Sequence, residues 1–286
     1  MKKLLHSSLF IAAAALAFFF LLAALLGPFL APHNPVETNI YAVLAPPGGD
    51  YPLGTDDLGR CILSRIIYGC RTTLGAALLV EALILVIGTA AGCCAGFLGG
   101  VLDGVVVTVI DILLSFPSII LALVIAALLG PGLTNLMIAM TAVYWVEPAR
   151  IARSVARSLR EKEFVTAARA SGSGKRRILM LHILPHVLPP ILVFGALNTG
   201  WIITGISSLS FIGLGVQPPV PEWGAILTEG RAYMQINPLT LMVTILGIVL
   251  SIACFQLLGE ALRDALNPRT SHLSSRLYGK NDAGRK

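Results

Sequence analysis

Long apolar runs recur along this chain, at Leu9–Leu30, Leu74–Phe97, Val105–Leu129, Leu136–Ile151, Leu188–Phe211 and Leu239–Leu258. An α-helix rises ~1.5 Å per residue, so crossing a ~30 Å hydrocarbon core takes roughly 20 mainly apolar residues. Lipid offers the backbone no water, which leaves only helices and closed barrels as spanning structures. A barrel would show alternating segments of about ten residues, and the sequence has none. The pattern therefore predicts an all-α polytopic membrane protein with about six transmembrane helices. The short fourth run is expected to continue through Ala152–Val155 as a protruding helix. The charged fraction of 13% supports a lipid environment, since soluble domains carry about 25%.

Charge placement sets the expected orientation. Between Arg150 and Arg177 there are nine Lys/Arg and two acids; the tail after Asn267 is basic, and Lys2 and Lys3 precede the first run. By the positive-inside rule both termini and this central island face the cytoplasm. No aromatic platform or nucleic-acid motif accompanies the basic residues, so nucleic acid is not expected as a partner. The N-terminus has the charge of a signal peptide, but Leu9–Leu30 exceeds the usual apolar core of ~7–15 residues and reads as an uncleaved anchor.

The first outer segment, His33 to about Thr73, is broken by Pro35, Pro46, Pro47, Gly48, Gly49 and Pro52. Within it Ile62, Leu63, Ile66 and Ile67 fall at helical spacing with Arg60 and Arg65 on the polar side, predicting an amphipathic helix on the membrane surface. Cys61 and Cys70, in the same segment, read as half-buried thiols rather than a bridge. Pro117 is expected to kink the third span. The Gly/Pro-rich FIGLGVQPPVPEWG after the fifth run is expected to form a re-entrant or loop structure.

The polar island is the chain's most distinctive segment. Leu159 to Ala170 is rich in helix formers and stops at Ser171-Gly172-Ser173-Gly174; a second helix is expected from Lys175 to about Leu184, halted by Pro185. Ala167, Ala168 and Gly172 give the first helix a surface without side-chain bulk, and Arg169, Lys175, Arg176 and Arg177 rim it. Such a knob suits a socket on a cytoplasmic protein.

The run EFVTAARASGSGKRRILMLHILPH resembles the EAA loop of the integral-membrane permeases of ABC importers. Ala167, Ala168, Gly172, Leu184 and Pro185 match that motif at its spacing. Thr166 stands where its Glu is expected, with Glu163 a turn earlier as a substitute, and His182 stands where its Ile is expected. LGTDDLGR at Leu53–Arg60, SLSFIGLGVQPPVPEWG at Ser208–Gly224 and LLGEALRDALNP at Leu257–Pro268 narrow the resemblance to the dipeptide/oligopeptide/nickel permeases. Cys61 replaces that subfamily's usual Asp.

The resemblance implies a type I permease fold and a non-catalytic subunit. It also implies a second homologous permease, two cytoplasmic ABC ATPases that bind ATP and Mg, and an extracytoplasmic substrate-binding protein. The chain itself would carry no cofactor and no catalytic residue. Glu163, Ala167, Ala168, Arg169, Gly172, Leu184 and Pro185 would contact the ATPase. The implied organisation is an N-terminal anchor and outer segment (1–72), a permease core (73–268) containing the loop (154–186), and a cytoplasmic tail (269–286) in a bacterial or archaeal inner membrane. The substrate is left between peptides and nickel.

Other polar groups carry weaker signals. Asn198, Thr199 and Thr204 either line the pathway or bond helix to helix. Asp111 is expected to snorkel or pair with an Arg, and Glu147 to pair with Arg150 or Arg153. His182 and His186 lack a third ligand, so no metal site is expected. Trp145 and Trp223 read as interfacial anchors. An ion-gradient-driven transporter or channel subunit is the rival class, and would call for internal repeats and midplane charges.

Overall fold

The computed structural model describes residues 8–266; Lys2, Lys3, Pro268 and the tail lie outside it. Among the described residues the regular structure is helical: α1 (Ser8–Leu30), α2 (Ile62–Leu98), α3 (Gly100–Leu114), α4 (Ser118–Leu129), α5 (Leu133–Tyr144), α6 (Val146–Arg160), α7 (Glu163–Ala170), α8 (Lys175–Ile178), α9 (Leu184–Phe211), α10 (Trp223–Gly230) and α11 (Leu239–Leu266).

Three described helices are long and apolar enough to cross a membrane by themselves: α2, the α8–α9 rod (Lys175–Phe211) and α11. A fourth span is available if α3 and α4 are taken as one. Of the six expected runs, the first forms α1, which is not among these spans, and the third and fourth are broken within the described residues. At Pro117 the chain does more than kink: α3 and α4 meet at 89°. Pro117 lacks an N–H, and the Ser115 hydroxyl donates to the Asp111 carbonyl at 2.7 Å, so the helix ends rather than bends. Trp145 separates α5 from α6, and α6 carries the expected protrusion to Arg160.

Two expected helices turn out to be parts of longer ones. The surface helix at Ile62 is the first third of α2, a single 37-residue helix. No proline interrupts it, and its polar side is not solvated: Arg60 and Arg65 are 1% and 2% exposed. Pro185 does not halt the helix from Lys175. A π-helical turn at Leu179–Ile183 precedes it and carries the chain into α9. Proline clashes with the carbonyl four residues back, and a widened turn there lets the helix pass.

Close helix approach organises the bundle. On α2, Gly88, Gly92 and Gly96 recur one turn apart, and a methyl at each would strike the backbone at Trp145, just before α6, and at Ala149 and Arg153 of α6 respectively. Ala149, Ala152 and Ala156 on α6 are fully buried. Small residues on both faces let the two backbones touch, as small-xxx-small pairs do in membranes. The main core joins α1, α2, α4, α5, α9, α10 and α11. A second cluster, including Cys93, Phe97, Ala152, Val165, Ile178 and Ile183, lies at the end of the bundle that carries α7.

Candidate functional site

The island folds as a compact knob on the second cluster. Val165 and Ala168, one turn apart on α7, face inward, with exposures of 0% and 9%. Ala168 therefore belongs to the knob's own core and not to its outer surface, which corrects the expectation for it. Glu163, Ala167, Arg169 and Gly172 are exposed. Glu163 occupies the first turn of α7, where a carboxylate is favoured by the helix dipole. Arg169 is partly engaged within the chain: its guanidinium lies 5.9 Å from the Phe97 ring centroid and reaches the Arg160 carbonyl at 3.5 Å.

The helix stop is well defined. Gly172 has φ +79°; its N–H donates to the Arg169 carbonyl and the Ser173 N–H to the Ala168 carbonyl, each at 3.0 Å. These are the two bonds of a Schellman motif. A Cβ on Gly172 would meet nothing within 4 Å, so the turn requires glycine for its backbone while its surface stays open. Leu184 is half-buried against the second cluster and Pro185 is exposed; both belong to the following rod rather than to α7. Phe164 stacks on His186 with centroids 5.5 Å apart. The His186 ring bonds the His182 carbonyl, so this pair is engaged within the rod.

The knob hangs from α6, and α6 is fixed at two points. One is the glycine stripe of α2. The other is a bidentate pair in which Arg153 donates to Asp103 of α3, Nε to Oδ1 at 2.5 Å and Nη2 to Oδ2 at 2.8 Å. Glu147 pairs with Arg150 at 3.6 Å, as expected. Asp111 is exposed and joins no ion pair among the described residues; Arg153, whose charge interacts with it, is held by Asp103.

The opposite end holds a polar assembly that the sequence did not announce. Arg60 pairs with Asp56 at 2.7 Å and Glu229 at 2.6 Å; Arg65 pairs with the same two carboxylates at 2.5 and 2.8 Å. The network ties the outer segment and α2 to α10. Beside it, Glu222 caps α10 by accepting from the Ala225 N–H at 3.0 Å, and accepts from Thr73 of α2 at 2.9 Å. Burial pushes the Glu222 carboxyl above its ordinary range, against the lowering effect of these hydrogen bonds. Trp223 is 1% exposed; its Nε1 donates to the Ile66 carbonyl at 3.1 Å. It is a core residue, not an interfacial anchor. In the loop before it Val216 and Glu222 are buried, while residues 217–220 are exposed.

Within the bundle Asn198 of α9 donates to Glu81 of α2 at 2.7 Å. Thr199 is buried and bonds the Gly195 carbonyl, whereas Thr204 is exposed and bonds the Gly200 carbonyl. Of the three polar residues singled out on α9, only Asn198 bridges helices. Glu81 was missed, although a lone acid in an apolar run is itself a signal. No disulfide joins the cysteines; Cys61 and Cys70 are separate, unbridged thiols. Among the described residues no group of three His, Cys, Asp or Glu is placed to hold a metal ion.

Comparison with known proteins follows the same lines. Residues 72–272 match the family described as binding-protein-dependent transport system inner membrane component. Residues 1–47 match the N-terminal TM domain of oligopeptide transport permease C. The chain is 40% identical over 268 residues to the dipeptide transport system permease protein DppC of Alkalihalophilus pseudofirmus, covering 94% of this chain and 88% of that protein. It is 37% identical over 247 residues to the nickel transport system permease protein NikC of Escherichia coli K12, covering 86% and 89%. An inward-facing structure of the MetNI methionine ABC transporter shares the fold at TM-score 0.57 and 20% identity, covering 72% of this chain and 98% of that one.

Proposed function

The chain belongs to the family of binding-protein-dependent transport-system inner-membrane components, and from that membership we propose that it is the permease subunit of an ATP-driven importer of di- or oligopeptides, or of nickel as a chelate. It is a non-catalytic, multi-pass membrane subunit. The family match leaves no support for the ion-gradient-driven alternative.

A second homologous permease completes the pathway, an extracytoplasmic binding protein delivers the substrate, and two cytoplasmic ATPases bind ATP and Mg and hydrolyse the nucleotide. No GxxxxGK[ST] segment occurs in this chain, so a phosphate-binding loop has to come from elsewhere. The nine Lys/Arg against two acids between Arg150 and Arg177 support a cytosolic island with both termini on the same side.

The observation that carries the coupling role is α7: a short helix with Glu163, Ala167, Arg169 and Gly172 outward and Val165 and Ala168 locking it to the bundle. A surface without bulk lets an ATPase groove approach the backbone. Movement of that groove would be passed to α6, and α6 cannot slide independently of α2 and α3. ATP then biases a two-state bundle through one rigid arm.

The test is Ala167→Glu, on the exposed face of α7, in the reconstituted transporter. The variant is expected to insert and assemble yet lose substrate-stimulated ATP hydrolysis and uptake; normal uptake would overturn the assignment. The ligand retained by the cognate binding protein identifies the substrate.

A further inference from the structure

Between α2 and the α8–α9 rod lies an apolar groove of about 500 Å³, lined by Leu85, Thr89, Cys93, Cys94, Met180 and Leu188 among others. Neither an acid nor a base lines it. It runs from Leu179 to Leu192 along the rod, a length of about 20 Å at ~1.5 Å per residue, somewhat more than one leaflet of a ~30 Å hydrocarbon core. Thr89 is 8% exposed, and its buried hydroxyl adds no polar surface to the groove.

The mouth of the groove differs from its walls. Lys175, Arg176 and Arg177 are all exposed, and none joins an ion pair among the described residues. Lys175 stands one turn before Leu179, whose N–H bonds its carbonyl, and Arg176 stands four residues before Met180. Leu179 and Met180 both line the groove. Lys175 and Arg176 thus stand one helical turn from groove-lining residues, with Arg177 beside them, and all three are unpaired among the described residues.

We propose that this groove is a binding site for an anionic phospholipid of the inner leaflet, one acyl chain lying along α2 and α9 and the phosphate held by Lys175, Arg176 and Arg177. An apolar partner helix would fill the walls but leave the cations without counter-charge; a phospholipid satisfies both. Basic pockets between transmembrane helices on the cytoplasmic side take such headgroups. The inference rests on the cytosolic position of α8 given above, but not on the coupling role of α7.

The probes are phosphatidylglycerol and phosphatidylcholine, with the purified transporter complex. Native mass spectrometry is expected to show phosphatidylglycerol retained in preference. Arg176→Gln, an exposed change that spares the fold, should lower that retention roughly fivefold, the equivalent of about 1 kcal/mol per cation. Leu188→Trp, which fills the groove, should lower retention of both lipids. Cys94 is the only half-buried cysteine of the five, so it reports the occupant: its labelling by a maleimide should be slower in phosphatidylglycerol vesicles than in phosphatidylcholine.

Equal retention of the two lipids would overturn the site, as would equal protection of Cys94 in both, which would place the second permease on the groove. A Lys175→Cys thiol in a Cys94→Ser chain decides which premise failed. If an impermeant maleimide reaches it from outside, the topology falls and this site with it. If it is reached only from the cytosolic side and the lipids are retained equally, the site alone falls.

Discussion

Arg153 of α6 grips Asp103 of α3 through two parallel hydrogen bonds, 2.5 and 2.8 Å long, across 50 residues of sequence. A guanidinium fork matches a carboxylate in this way and a lysine cannot. The pair fixes the arm that carries α7 to the first turn of α3. Arg153→Lys is therefore expected to weaken thermal stability in detergent by about 1 kcal/mol and to lower the uptake obtained per ATP hydrolysed. An unchanged ratio would show that the pair plays no part in transmission.

The glycine stripe should be intolerant of volume. Gly92 lies against the Ala149 carbonyl and the Ala152 methyl, so Gly92→Val should cost about 3 kcal/mol or prevent assembly, by forcing α2 from α6. Gly104→Ala is the control: nothing lies within 4 Å of its added methyl, and a neutral or slightly stabilised protein is expected. Melting curves of the two proteins separate the cases.

The two faces of α7 make opposite predictions. Ala167→Trp on the exposed face should leave insertion and melting unchanged while abolishing substrate-stimulated ATP hydrolysis in the assembled transporter. Ala168→Trp, at 9% exposure, should disturb the knob itself and raise its proteolysis. Equal proteolysis of the two variants would contradict the inward and outward assignment.

Glu229 neutralises two arginines that are 1% and 2% exposed. Removing one partner of a buried pair leaves a charge uncompensated, so Glu229→Ala should destabilise by about 3–5 kcal/mol. Glu229→Gln, which keeps the acceptor oxygen, should cost less. Thermal unfolding in detergent tests the order.

Glu222 gives a pH signature. Its folded-state carboxyl titrates above the ordinary value of 4.5 because it is buried. A group raised on folding stabilises fully below its unfolded value and loses that contribution as pH rises through the folded one. Melting temperature should therefore fall as pH increases upward from 4.5 through that range, and Glu222→Gln should flatten the profile. A profile identical in both proteins would remove Glu222 as the cause.

Part of the site was legible because its signals are local. Ser171-Gly172-Ser173-Gly174 announced the end of α7, and the Schellman bonds of Gly172 and Ser173 form there. Pro117 announced a break, although a right-angle turn needs knowledge of what α4 packs against. Pro185 misled, since local propensity forbids it in mid-helix and the π-turn at Leu179–Ile183 makes room for it. Arg60 and Arg65 misled for another reason. Helical spacing put them on a polar side, and polarity was read as solvent, whereas Asp56 and Glu229 are what they face.

The sequence by itself determined the apolar length of the helices, the sign of the island and the helix stop at Gly172, since each depends on neighbours within a few residues. It also carried the motif spacing by which the family is known. Only the tertiary structure decided where spans break or fuse, that Ala168 turns inward, and which charges meet. Arg60 and Glu229 lie 169 residues apart and Thr73 and Glu222 lie 149 apart. Pairing at such separation follows from how the helices pack, and hydropathy summed along a chain holds no term for it.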